Sequence, residues 1–157
     1  SRIDFIEYWM GALLHDIGKL GLGIFFWDHF EKILQQMNGG SNSFRDAETT
    51  LLDAVNHEYL GMLLVLNANG GQNLMQSVGA HHYPRKVPSS LTCLIHLANN
   101  LCKDLELSYL PEERAEYSQW VLKSMRLRTE HMDELKETIG PSVVGEVKEL
   151  VSRCTQS

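Results

Sequence analysis

A histidine and an aspartate stand side by side in the segment His15-Asp16-Ile17-Gly18-Lys19. Both are ionisable groups at the end of an apolar stretch, where burial without a partner is costly. A metal ion removes that cost, because a neutral imidazole and a carboxylate are both good ligands. The two oxygens of Asp16 could also bridge a pair of metals. One such pair more often forms a helix cap or a core hydrogen bond, so it indicates a metal site only when further ligands join it.

Three further histidines could supply those ligands. His57 begins the segment His57-Glu58-Tyr59-Leu60-Gly61, and His81 and His82 are adjacent. Each lies beside an apolar helical stretch, and each taken alone is best explained as a hydrogen-bonded core histidine or a partly exposed surface one. Together with His15 and Asp16 they favour a shared site. A zinc-protease motif of the form H-E-x-x-H is excluded because position 61 is glycine, which instead permits the close approach of another helix.

The composition of the 157-residue chain is that of an ordinary globular protein of one domain, with 43% apolar residues and a formal net charge of -6. Such a surface repels phosphate backbones, so we expect no nucleic-acid partner, although a local basic pocket is compatible with the global charge. No apolar stretch approaches the roughly 18–20 residues that cross a bilayer, so no membrane span is expected. The three cysteines form no CxxC pair, which indicates free thiols in a reducing, cytoplasmic compartment.

The elements that must position these residues are helices, because helical spacing of apolar residues dominates and strands have little support. We predict an all-α fold of about seven or eight helices. Their predicted ranges are 5–18, 27–37, 44–66, 74–82, 91–105, 117–125, 131–139 and 141–154. Gly140 and Pro141 are interpreted as a stop and a start between the last two helices.

Several side chains have an expected place in that arrangement. The apolar residues of the first helix are expected to face inward, namely Phe5, Tyr8, Trp9, Ala12 and Leu13. The aromatic group Phe25, Phe26, Trp27 and Phe30 is also expected in the core, with packing against a further N-terminal subdomain as the alternative. Pro111 suits the first position of a helix.

The ordered set of motifs resembles the HDOD family, a signalling branch of the HD superfamily of phosphohydrolases. The HDxGK segment at 15–19 is followed by H-x-x-x-G at 57–61, by an HH pair at 81–82 and by a helix, Leu94-Ile95-His96-Leu97-Ala98-Asn99, that is similar to the family's IVHLAD. The segment 120–139 also resembles the closing helices. The resemblance covers almost the whole chain and implies one compact HD-like helical bundle over residues 1–157. The metal ligands that it implies are His15, Asp16, His57, His81, His82 and Asn99.

Three departures from the family pattern bear on activity. The full pattern has an upstream histidine and residues 1–14 contain none, so this ligand is either absent or N-terminal to this chain, and we expect the chain to lack its first helix or an N-terminal subdomain. Asn99 stands where the pattern has aspartate and is a weaker, neutral ligand. His81-His82 runs directly into Tyr83-Pro84-Arg85-Lys86, without the Gly-Tyr-Pro of the cyclic-di-GMP phosphodiesterase branch. A divalent ion (Mn, Fe or Mg) is therefore expected to bind weakly or not at all.

Two functions remain open at this point. The resemblance favours a non-catalytic bacterial signalling module that works by protein–protein interaction or ligand sensing, with partners such as receiver or GGDEF domains. The alternative is a metal-dependent phosphohydrolase that uses Asp16 at the metal and Lys19 to neutralise the phosphoryl oxygens. Lys19 is explained equally well as a helix-end cation. His96 is expected to pack in the core, and Arg85-Lys86 to form a solvated turn rather than to contact an anionic ligand.

Overall fold

The computed structural model describes residues 4–38, 43–51, 55–108, 110 and 113–155. Helices are the regular structure of these ranges, so the all-α prediction is confirmed. They are α1 Phe5–Leu14, α2 Ile17–Phe25, α3 Trp27–Asn38, α4 Phe44–Thr50, α5 His57–Asn67, α6 Gln72–Val78, α7 Ser90–Asp104, α8 Gln119–Ser124 and α9 Thr129–Thr155, with a 3-10 turn at Pro84–Lys86.

The chain forms two compact units, residues 1–98 and 99–157. Helix α7 begins in the first unit and ends in the second. The first unit carries the histidines singled out above as ligands, and the second begins at Asn99. The prediction of one HD-like domain over the whole chain stays a prediction.

Helix α1 buries a small residue and exposes large ones. Its start is the predicted one, because the Asp4 side chain accepts a hydrogen bond from the backbone N–H of Ile6. Gly11 is buried against Ile95 of α7, and a Cβ added there would lie 2.5 Å from the Ile95 side chain. Phe5 and Leu13 are each 71% exposed, and Trp9 is exposed as well, so their predicted inward orientation was wrong. The helix carries apolar residues on both faces, and the face with Gly11 is the buried one because only glycine lets α7 approach so closely.

The predicted first helix is interrupted by a turn at His15 and Asp16, after which α2 begins. The buried face of α2 carries Gly18, Gly21 and Leu22. This face packs against the core, and the aromatic residues at the end of α2 lie on the other side of the helix. Phe25, Phe26 and Trp27 are exposed, so the prediction that they lie in the core was wrong.

The predicted helix over 44–66 is two helices, α4 and α5, and this prediction was also wrong. Asn56 has extended backbone angles and its side chain accepts a hydrogen bond from the N–H of Tyr59, so it caps α5. A local cap of this kind competes with continued helix, and the periodicity of apolar residues does not register it. The break places His57 at the first turn of a helix.

Helix α5 is held in the first unit by an apolar cluster. Val65 of α5 packs with Leu74 and Val78 of α6, and Leu14 and Ile17 from either side of the α1–α2 turn pack against them. This cluster therefore fixes the α1–α2 turn, α5 and α6 relative to one another.

In the second unit, α9 runs without a break through Pro141, so the predicted division at Gly140-Pro141 was wrong. A residue before proline normally avoids helical angles because its Cβ meets the proline ring, and Gly140 has no Cβ. Pro111 lies outside the described residues, and the next helix, α8, begins at Gln119. None of the helices in the described ranges combines the length and the hydropathy needed to cross a membrane.

Candidate metal centre

Four side chains of the first unit converge at the helix ends described above. Asp16, His57, His81 and His82 offer ligand atoms that all lie within 4.8 Å of one another. Asp16 comes from the α1–α2 turn, His57 is the first residue of α5, and the two adjacent histidines follow α6. The structure thus brings together four of the six predicted ligands.

The separations within this group fit a single ion. Nε2 of His57 and Nε2 of His81 lie 3.6 Å and 3.5 Å from Oδ1 of Asp16. Nε2 of His57 lies 3.2 Å from Nε2 of His82. Four ligand atoms in a tetrahedron around one ion, at bond lengths of about 2.0–2.1 Å, stand about 3.4 Å apart. Three of the six separations are therefore close to those around one four-coordinate metal, and the whole group lies within 4.8 Å.

The rings are also oriented as ligands. Nδ1 of His57 donates to Oε2 of Glu48 over 2.6 Å, and Nδ1 of His81 donates to the carbonyl of Val78 over 2.8 Å. With the hydrogen on Nδ1, the lone pair is on Nε2, which points into the group. Nε2 of His81 and Oδ1 of Asp16 are buried and have no hydrogen-bond partner in the described part of the chain. A cation bound between them would satisfy both atoms.

Two residues that the sequence reasoning did not assign to the site support its ligands. Glu48 of α4 is buried; its Oε1 accepts from the backbone N–H of His57 over 2.7 Å, while Oε2 holds the ring. No sequence signal indicates Glu48, because the predicted helix ran straight through it. His96 of α7 is buried and its Nδ1 donates to the backbone carbonyl of His81 over 2.8 Å. The prediction that His96 packs in the core is confirmed, and it also holds the segment that carries His81.

The second oxygen of Asp16 faces cationic groups. Nζ of Lys19 lies 2.9 Å from Oδ2 of Asp16, and Nε2 of His15 lies 3.4 Å from it. His15 is outside the group of four, although its ring packs edge-on against that of His81. Asn99 is half-buried and belongs to the second unit. The roles of His15 and Asn99 as metal ligands stay predictions.

The pKa values of this group follow from burial and from these contacts. Burial raises the pKa of Asp16, but the neighbouring imidazoles of His15 and His81 and the charge of Lys19 outweigh it and hold that pKa well below its ordinary value. Burial lowers the pKa of His15, but the neighbouring carboxylate of Asp16 outweighs it and raises that pKa. Burial lowers the pKa of His57 to about 3, against the attraction of Asp16. At neutral pH the site therefore presents an ionised carboxylate and a neutral imidazole at His57.

Glu48 makes metal affinity depend on pH. Burial raises its pKa to about 7, against the hydrogen bond from the backbone of His57. A protonated Glu48 cannot hold Nδ1–H of His57 as a carboxylate does, so binding a metal must release the Glu48 proton below that pKa. Metal affinity is therefore expected to rise with pH up to about 7 and to level off above it. Titrations of the chain with a divalent ion across this range measure the dependence.

The variant Glu48→Gln is the control for this prediction, because an amide keeps an acceptor oxygen and does not titrate. Its pH dependence should be flatter than that of the unaltered chain. An equally steep dependence in the variant would assign the released proton to another group and contradict the prediction.

Comparison with known proteins bears on the same residues. The family model described as HDOD domain matches residues 4–84, just over half of the chain. The match includes Asp16, His57, His81 and His82 and ends before Asn99. No curated protein and no solved structure matches the chain. Its helical fold, its gathered histidines and this match agree: the chain belongs to the HDOD domain family.

Proposed function

We propose that this chain is a non-catalytic signalling domain of the HDOD type that holds one divalent metal with Asp16, His57, His81 and His82. In this proposal it acts in the bacterial cytoplasm by binding a partner domain, of the receiver or GGDEF kind, or a small ligand. The metal stabilises the helix ends that it joins, as a structural ion does when it is fully coordinated by side chains.

The position of Lys19 carries the non-catalytic part of the proposal. Hydrolases that use two metals hold them about 3.5–4 Å apart, and a shared carboxylate is a natural bridge between them. Here Oδ1 of Asp16 faces the histidines, while Oδ2 lies 2.9 Å from the ammonium of Lys19. A second dication bound to Oδ2 would be repelled by the ammonium of Lys19. The arrangement therefore favours one ion held by four side chains.

The donor set also narrows the choice of ion. Three imidazoles and one carboxylate suit transition dications such as iron or zinc, whereas magnesium prefers oxygen ligands and water. Among the metals expected from the sequence, iron fits this set best, because manganese and magnesium both prefer oxygen ligands. With four side chains in place, Asn99 is not required as a ligand.

A metal-dependent phosphohydrolase is the second candidate, and one observation favours it. The side chain of Asp16 is 31% exposed and His82 is only partly buried, so one side of the group is open to solvent. A bound metal would supply Lewis acidity toward a phosphoryl oxygen there. Lys19 would then leave Asp16 to neutralise the phosphoryl charge, and Asp16 would hold the metal.

Elemental analysis of the chain purified without chelator, alongside an assay on a generic phosphodiester, tests both candidates. We expect one metal per chain and no turnover. Turnover that is abolished by Asp16→Ala would overturn the non-catalytic proposal. Absence of metal, even after manganese, iron and zinc have been added, would overturn the metal site that both candidates share.

A further inference from the structure

We propose that Arg45 and Lys86 form a binding site for a phosphate group beside the histidine cluster. This site goes beyond the proposed signalling function and does not depend on the metal. Three observations support it: Arg45 is held rigidly, the two terminal nitrogens of its guanidinium have unused N–H donors, and Lys86 lies near the same Tyr83 ring.

Arg45 of α4 is fixed in place on two sides. Its Nε donates to Oε2 of Glu58 over 3.2 Å, and its guanidinium carbon lies 3.6 Å from the centre of the Tyr83 ring. The Arg45 side chain is only 21% exposed. A guanidinium that is stacked on an aromatic ring and tied at Nε has lost most of its rotational freedom before any ligand arrives. It is thus preorganised for binding.

The same carboxylate connects Arg45 to the metal cluster. Glu58 is 6% exposed, and its Oε1 accepts a hydrogen bond from the backbone N–H of His82 over 3.3 Å. One carboxylate therefore bridges the Arg45 side chain and the backbone of His82. Arg45 is therefore separated from the backbone of His82 by a single carboxylate.

The free edge of this guanidinium is the side that recognises oxyanions. Nε and one face of the guanidinium are occupied, and the two terminal nitrogens have no acceptor among the described residues. Paired N–H groups from these nitrogens match two oxygens of a phosphate or a carboxylate in a bidentate contact. A half-buried guanidinium with unused donors gains more from such a contact than a fully hydrated one does.

A second cation favours phosphate over carboxylate. Nζ of Lys86 lies 5.1 Å from the centre of the same Tyr83 ring, and the exposed Arg85 precedes it. This local positive charge contrasts with the formal net charge of -6 for the chain. Glu58 offsets the charge of Arg45, so the excess positive charge is that of Lys86 and Arg85. A phosphomonoester carries close to two negative charges at neutral pH and gains more from this excess than a carboxylate, which carries one. The ligand class is therefore inorganic phosphate or the phosphomonoester of a small molecule.

Calorimetric titration of the whole chain with inorganic phosphate and, separately, with phenyl phosphate tests the site, and acetate serves as the carboxylate control. Each titration is done on chelator-treated and on metal-loaded protein. We expect binding of both phosphates in both states and weaker binding of acetate. Arg45→Gln should lower phosphate affinity at least about tenfold, because a bidentate charged contact is lost. Lys86→Gln should lower it less, and Arg45→Lys should recover only part of it.

Arg128→Gln is the matched control, because Arg128 is a 74% exposed arginine of the second unit, and it should leave phosphate affinity unchanged. Metal content and thermal unfolding of Arg45→Gln show whether the fold and the proposed metal site are intact, which separates failure of this site from failure of the metal proposal. Phosphate binding that is equal in Arg45→Gln and the unaltered chain would overturn the inference. Binding that occurs only on metal-loaded protein, or acetate binding as tight as that of phosphate, would overturn it as well.

Discussion

Asp16→Asn and His57→Gln are each expected to lower the affinity of the chain for a divalent metal by more than about 100-fold. Loss of a residue that only supports a ligand typically costs about 10–100-fold, and these two residues are the ligands themselves. Asp16 also supplies the one negative charge of the group of four, so its amide variant weakens the site electrostatically while it keeps the shape. Competition between the protein and a chelator of known affinity measures the change.

Two further variants calibrate that result. Glu48→Gln should fall in the 10–100-fold range, because Glu48 holds the ring of His57 over 2.6 Å without being one of the four ligands. His131→Gln alters a histidine of the second unit and should change nothing. If Asp16→Asn held metal as tightly as the unaltered chain, the metal would lie elsewhere and the assignment of the centre would fail.

Gly18→Ala is expected to destabilise the first unit by at least about 3 kcal/mol, at or beyond the upper end of ordinary overpacking. A Cβ at this position would lie 1.8 Å from the backbone carbonyl oxygen of His57 and 2.8 Å from the backbone nitrogen of Gly61. Backbone atoms cannot turn aside as a side chain does, so α2 would have to move away from α5. Chemical denaturation followed by circular dichroism measures the loss of stability.

Gly23→Ala is the matched control, since it introduces the same methyl group into the same helix. Its Cβ would lie 3.9 Å from the nearest ring atoms of Phe30, an ordinary contact. Alanine is better than glycine inside a helix by about 1 kcal/mol, so this variant should be neutral or more stable. A Gly18→Ala chain as stable as Gly23→Ala would show that α2 and α5 do not cross at Gly18.

The contact at Gly18 also links stability to the metal centre. Gly18 lies two residues after Asp16, and it touches the backbone of His57, which opposes Asp16 in the cluster. Separation of α2 from α5 therefore draws a carboxylate ligand away from an imidazole ligand. Gly18→Ala is expected to lose metal affinity together with stability. The glycines of the HDxGK and H-x-x-x-G motifs are accordingly part of the site, because they set the distance between its ligands.

Several features of this protein follow from local sequence alone. The order of the motifs indicated the family, and the chemistry of imidazole and carboxylate indicated which residues belong together, four of which the structure gathers at Asp16, His57, His81 and His82. The helical spacing of apolar residues indicated the fold class. Glycine at position 61 indicated a close contact between helices, and this contact is confirmed because a Cβ added at Gly18 would lie 2.8 Å from the backbone nitrogen of Gly61. These features depend on local composition and spacing, which a sequence carries directly.

The burial of each helix face and the support of the ligands come from contacts between distant parts of the chain. Apart from Glu7 the first helix carries almost only apolar residues, so the contact of Gly11 with Ile95, which is distant in sequence, determines its inner face. Glu48 and Arg45 stand on α4 without any local pattern, and they acquire a role because the chain breaks before His57 and folds back on them. Such roles depend on long-range packing, to which no spacing rule applies. The pair His15-Asp16 therefore indicated where the site lies. Glu48 and the contact between α2 and α5 at Gly18 determine the positions of its ligands.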